Sequence, residues 1–213
     1  MKKIYNFIRK HWKPIIFSLS LIIFVYVTRL LLQEKLYTFD EAVYKVVSYQ
    51  QNDISTILFK FISFLCSTYF IIFALVIIMI FNKKRKISFY IVLNVLLCIL
   101  LNQGVKLVFA RTRPVDINLV IETGYSFPSG HSMVSLAFYG FYIYLVVHKK
   151  ISFPKKILIC SILAVLVFLI GISRIYLGVH YASDVLAGFA LGMAYLILFI
   201  VAFHKDIKKL VHK

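Results

Sequence analysis

The chain has 213 residues, 62% of them hydrophobic, and a mean hydropathy of +0.89, which excludes an ordinary soluble domain. Its 25 Lys and Arg against 8 Asp and Glu give a formal charge of +17, a balance that by itself would suit nucleic acid. The placement of those charges excludes nucleic acid as a partner and points to a membrane.

A helix crosses a bilayer with roughly 17–25 apolar residues. Six runs meet that length, at about 14–33, 63–82, 87–109, 131–148, 155–173 and 184–203. They predict an all-α fold, a six-transmembrane-helix bundle forming a single domain over residues 1–213, without repeats or low-complexity tracts. The first run follows a basic start but lacks a small-residue cleavage site before Arg29 and Leu30, so it reads as helix 1 and not as a leader. Pro14 and Pro154 are expected at the starts of spans, where a missing N–H costs little. Between the first two runs, residues 34–62 space apolar residues at helical intervals among charges, which predicts one or two short outer amphipathic helices. Gly188 and Gly192, with Ala187, Ala190 and Ala194 nearby, give the last span a small face for close packing. Cys66, Cys98 and Cys160 are odd in number, sit in apolar sequence and lack metal-ligand spacing, so they read as small core hydrophobes.

With the N-terminus placed inside, the inner segments ("MKKIYNFIRKHWK", "NKKRK", "HKKISFPKK", "HKDIKKLVHK") hold 17 basic residues and one acid, Asp206. The other 8 basic and 7 acidic residues belong in or near the outer segments. This asymmetry predicts that both termini are cytoplasmic and that the basic excess faces membrane lipids.

Three stretches on the predicted outer side then stand out. In "KLVFARTRP", Lys106 and Arg113 are seven residues apart, nearly two helical turns, so a continued helix would send both from one face. Arg111 points elsewhere and reads as an interfacial cation whose stem snorkels. In "GYSFPSGHSM", Pro128, Ser129, Gly130 and His131 lead straight into a span. A helix N-terminus offers free N–H groups to an anion, Gly130 allows close approach, Ser129 adds a hydroxyl and His131 can give a proton. In "SRIYLGVHYASD", Arg174 ends a span, Gly178 eases a turn, and His180 precedes Asp184 by four residues. That spacing lets the carboxylate take one imidazole proton and leave the other nitrogen as base or nucleophile. Cations at membrane depth are costly without partners. Three of them converging with an amide-rich turn and two histidines call for a strongly charged anion, and phosphate fits. Asp116 and Glu122 are the only acids between residues 110 and 130, so no carboxylate cluster for Mg²⁺ is expected: no metal and no cofactor.

In this order, Lys106-x6-Arg113-Pro114, Pro128-Ser129-Gly130-His131 and Ser173-Arg174-x5-His180-x3-Asp184 resemble the three-part signature of the type 2 phosphatidic acid phosphatase family. The signature lies within residues 106–184, and the span count resembles the family's small six-helix bacterial membrane lipid phosphatases. The resemblance implies a lipid phosphate or diphosphate phosphatase with a phosphohistidine intermediate. By the same resemblance His180 is the nucleophile, Asp184 orients it, and His131 serves as acid and then base. Lys106, Arg113, Ser129, Gly130 and Arg174 bind the phosphoryl group. The residues agree with this division, because only His180 has a local carboxylate partner. Expected substrates are undecaprenyl diphosphate, phosphatidylglycerophosphate or phosphatidate, taken from the outer leaflet. The alternatives are a lipid headgroup phosphotransferase and a non-catalytic lipid-phosphate binding or transport protein.

Overall fold

In a computed structural model, which describes residues 2–82, 84–115 and 117–212, every regular element among the described residues is helical. In chain order these are α1 (Lys2–Leu32), α2 (Tyr37–Ser48), α3 (Asp53–Phe64), α4 (Thr68–Phe81), α5 (Arg85–Phe109), α6 (Gly130–His148), α7 (Phe153–Tyr176), α8 (Ala182–Ala202) and α9 (His204–His212). The part of α1 from His11, with α5, α6, α7 and α8, is each long and apolar enough to cross a bilayer.

The second expected span is not one helix. Its 14-residue portion, α4, is about 21 Å long at 1.5 Å per residue, short of a hydrocarbon core of about 30 Å. It can cross only together with α3, from which it is bent by 45° at residues 65–67. The break is held from both sides: Ser67 caps α4 by accepting the Phe70 N–H, and the Tyr139 hydroxyl of α6 donates to the Leu65 carbonyl at 2.6 Å. Pro14 also departs from expectation, lying inside α1 rather than at its start. Hydropathy marks where a helix becomes apolar, and α1 begins a turn or more earlier in basic sequence. Pro154 does occupy the first turn of α7.

Segment 34–62 resolves into two helices, α2 and α3. Gln51 donates to the Tyr176 carbonyl, and Ser55 and Thr56 hydrogen-bond the Tyr176 hydroxyl at 2.6 and 3.1 Å. Phe59 stacks on the same ring at 4.3 Å, so α3 is pinned to the end of α7.

α6 and α8 are the most buried spans and form the axis of the bundle. The small face of α8 is used within the bundle: a Cβ on Gly188 would lie 2.7 Å from the Ser129 carbonyl, and one on Gly192 would lie 3.1 Å from Met133 Cα. The start of α6 therefore seats directly on α8. α6 also carries a π-helical turn, Leu136–Gly140, and Asn94 of α5 donates to the Ala137 carbonyl within it at 2.5 Å.

The ends of α5 and α7 and the starts of α6 and α8 meet at one end of the bundle. Gly178 makes the turn between α7 and α8 with φ +67°, and a Cβ there would stand 2.1 Å from the Ile117 carbonyl oxygen. Gly178→Ala is expected to cost more than the ~1 kcal/mol of an ordinary left-handed glycine, because backbone must also move. A lowered thermal unfolding midpoint in detergent, set against the unsubstituted chain, checks this.

Candidate active site

α5 stops at Phe109 because Ala110 adopts a left-handed cap, φ 45°, with its N–H bonded back to the Lys106 carbonyl. Arg113 therefore lies in non-helical chain, and the expectation that it shares a helix face with Lys106 is overturned. The loop brings the two cations together by a different route. Arg113 Nη2 donates to the Thr123 carbonyl at 3.0 Å, and its Nε donates to Gly124 at 3.1 Å. Its Nη1 donates to the Val179 carbonyl at 2.9 Å and lies 3.1 Å from His180 Nε2. Lys106 donates to the carbonyls of Tyr125 and Ser126.

Lys106, Arg113, Glu122, Gly130, His131 and His180 line a single cavity of about 550 Å³. Its floor runs down between helices on Ile72, Leu75, Leu96, Ile99 and Val134. A second cavity of about 500 Å³ shares Glu122 and His131 and adds Arg174. Arg174 is almost wholly buried, donates to the Ser63 hydroxyl and pairs with Glu122, and its Nε has no partner among the described residues. Burial would lift the Glu122 carboxyl, but Arg174 beside it, with Arg113, outweighs burial and holds it below the ordinary carboxylate range.

The start of α6 is built around Ser129. Its hydroxyl accepts the Ser132 N–H at 3.4 Å as the helix cap, and its own N–H donates to the Asp184 carbonyl at 3.0 Å. Ser129 is fully buried and lines neither cavity, whereas Gly130 and His131 open onto the first. Asn102, one turn before Lys106, donates to the Pro128 carbonyl at 3.2 Å and steadies this turn.

His180 and Asp184 meet as their spacing predicted, Nδ1 to Oδ2 at 3.4 Å, with both side chains buried. Ser126 joins them: its hydroxyl donates to Asp184 Oδ2 and lies 3.3 Å from His180 Nδ1. The Tyr181 N–H donates to the same oxygen at 2.9 Å. The other oxygen, Oδ1, accepts from Arg111 Nη1 at 2.6 Å. With Nδ1 held by this group, Nε2 is the nitrogen that faces Arg113 and the cavity. Burial drives the His180 imidazole down to about 4, Asp184 raises it in part, and Arg174 and Arg113 act with burial.

The sequence reading missed Ser126, Glu122, Ser63 and Asn102 as partners, and it misplaced Arg111. That residue is no snorkelling cation: it is largely buried between Asp40 and Asp184 and lies over the Tyr181 ring at 3.9 Å. Acids are scarce in this chain, so Asp40 and Glu122 were visible as residues in need of cations, but their partners lie 71 and 52 positions away. Asp116 lies outside the described residues.

Three comparisons bear on this arrangement. The sequence profile of the PAP2 superfamily matches residues 87–208. Phosphatidylglycerophosphatase B of Bacillus subtilis is 44% identical over 112 residues, 52% of this chain and 54% of that protein, so the chain matches about half of that relative's length. The undecaprenyl-diphosphatase of Sulfolobus acidocaldarius is 31% identical over 190 residues, covering 86% of this chain and 87% of that protein. Among solved structures, the transmembrane PAP2-type phosphatidylglycerolphosphate phosphatase from Bacillus subtilis superposes with a TM-score of 0.76 at 31% identity, over 93% of this chain and 98% of that one.

The depressed basicity of His180 is open to direct measurement. In histidine-labelled protein in detergent, NMR should show an imidazole that stays neutral until about pH 4 and gains its proton below it, missing from His180→Ala. An ordinary imidazole would titrate near ~6.5.

Proposed function

The chain belongs to the PAP2 superfamily, and from that membership we propose that it is a membrane lipid phosphate phosphatase working through a phosphohistidine. The observation that carries this reading is the orientation of His180, with Nδ1 on Asp184 and Ser126 and Nε2 turned to Arg113 at the cavity. His180 Nε2 attacks phosphorus as the bond to the leaving oxygen breaks, and His131 gives that oxygen its proton. His131 then takes a proton from water, whose oxygen displaces the imidazole and releases inorganic phosphate. Asp184 offsets the positive charge that the imidazole gains in the first step.

Lys106, Arg113 and Arg174, with the Gly130 N–H, neutralise the phosphoryl oxygens in the place of a metal. The unpartnered Nε of the buried Arg174 supports this role, since such a donor is costly unless an oxyanion takes it. The Ser129 hydroxyl caps α6 and lines neither cavity, so its share in phosphate binding runs through the placement of Gly130. No metal ion is required in this scheme.

The apolar floor of the cavity supports a lipid as the phosphate's carrier, with its tail lying between α4, α5 and α6. The relatives are named for phosphatidylglycerophosphate and for undecaprenyl diphosphate. The site end of the bundle is the end away from the Lys-rich segments, which by the positive-inside rule supports cytoplasmic termini and a site at the outer leaflet. An outward site suits a carrier diphosphate released during wall synthesis, which favours undecaprenyl diphosphate over phosphatidylglycerophosphate and phosphatidate.

Purified protein in detergent should release inorganic phosphate from a panel of these three lipids, undiminished by EDTA. His180→Ala should lose at least about a thousandfold in turnover, in line with removal of a nucleophile. Wild type quenched in alkali should hold phosphate in a base-stable, acid-labile bond, which the variant lacks. Binding without phosphate release would favour a transport protein, and transfer of phosphate to a lipid or sugar hydroxyl would favour a phosphotransferase.

A further inference from the structure

Asp40 and Arg111 do not line the cavity that holds His180, yet both are tied to the carboxylate behind it. Arg111 Nη1 donates to Asp184 Oδ1 at 2.6 Å and to the Ser183 hydroxyl at 2.8 Å, and its Nη2 donates to Asp40 Oδ2 at 2.8 Å. Asp40, from α2, accepts the Ser183 N–H on Oδ1 at 2.7 Å and the Ser183 hydroxyl on Oδ2 at 2.8 Å. Asp40 and Asp184 are 5% and 0% exposed, so neither charge is left to solvent. A cation held by two buried carboxylates, a hydroxyl and an aromatic face is a built arrangement.

The charge count gives it a purpose. Arg111 and Asp184 alone would form a neutral pair, and the carboxylate would have little charge left for an imidazole. With Asp40 on the far side of the guanidinium, the three groups carry one net negative charge, and Asp184 is the member next to His180. Buried charges left unbalanced in this way persist where something uses them.

We propose that Arg111 and Asp40 are positioning residues for the hydrolysis: Arg111 fixes one oxygen of Asp184 so that the other faces His180, and Asp40 neutralises Arg111 so that Asp184 keeps its charge for the imidazole. This rests on the reading of His180 as nucleophile. It also gives α2 a part in catalysis, since that helix supplies the second carboxylate from outside the signature stretches.

The two residues bear on His180 with opposite sign, and this separates positioning from simple structural support. His180 is faced by Asp184 from α8, Arg113 and Glu122 from the loop, Lys106 from α5, His131 from α6 and Arg174 from α7. None of these residues is altered in the variants. Removing the Arg111 cation favours the imidazolium, so the acid limb of kcat/KM moves to higher pH. Removing the Asp40 charge leaves Arg111 uncompensated, disfavours the imidazolium and moves the limb to lower pH.

The test is phosphate release from dioctanoyl phosphatidate by the full-length protein in detergent, from acid to mildly alkaline pH. The substrate's own ionisation is common to all variants and cancels in the comparison. Arg111→Gln should shift the limb up by about one unit, and Asp40→Asn should shift it down by a similar amount, as single charges close to a titrating group do. Both should lower kcat about tenfold or more with KM little changed, and Arg111→Lys should bring the limb back towards wild type. Limbs that stay at the wild-type position, move the same way in both variants, or give way to a pure KM effect would overturn the proposal. If Arg111→Gln does not fold, the downward shift in Asp40→Asn decides, since asparagine keeps an acceptor for Ser183. Substantial turnover in His180→Ala would instead overturn the nucleophile assignment, whatever the other two variants do.

Discussion

The Asp184 carboxylate is fully buried in the first turn of α8, and the end of the bundle is arranged around its two oxygens. One accepts from Arg111, while the other takes the Ser126 hydroxyl, the Tyr181 N–H and the contact with His180 Nδ1. A bare carboxylate in that position would cost several kcal/mol in lost hydration. Its partners come from separate stretches: Arg111 and Ser126 from the two ends of the long loop, His180 and the Tyr181 N–H from the turn after α7, and Asp40 from α2 through Arg111. Satisfying this one anion therefore closes the loop, docks the amphipathic segment and sets the face of the imidazole together.

The same economy governs the cations. Lys106, Arg113 and Arg174 are held apart by backbone carbonyls, by Ser63 and by Glu122, not by one another. Glu122 alone cannot balance three positive charges, so the cavity keeps a positive excess that suits a phosphate group. The turn that opens α6 beside this cavity is shaped by close packing beneath it. The start of α6 rests on Gly188 with no room for a side chain, and the turn ahead of it is tied to Asn102.

Much of this was legible in the chain. Five of six spans, the two amphipathic helices and the small face of α8 follow from hydropathy and helical spacing, which are local properties. His180 and Asp184 were readable as a pair because four residues on a helical turn bring side chains together. Of the residues in the three motifs, Lys106, Arg113, Gly130, His131, Arg174 and His180 line the cavities, whereas Ser129 and Asp184 do not. Reading failed where geometry left the helix: Lys106 and Arg113 share a cavity through a loop, because Ala110 breaks the helix between them. The bend at residues 65–67 was passed over because hydropathy averaged across a span does not register a helix cap, although Ser67 and Thr68 interrupt the apolar run there.

By itself the sequence determined that this is a helical membrane protein and which motif residues stand out in it, because composition, periodicity and short spacings carry that information. Only the tertiary structure decided which groups complete the site. Asp40 and Arg111 are 71 residues apart and Arg111 and Asp184 are 73 apart, and no periodicity relates such positions. They meet because each is a charge that the low-dielectric bundle end tolerates only when it is paired.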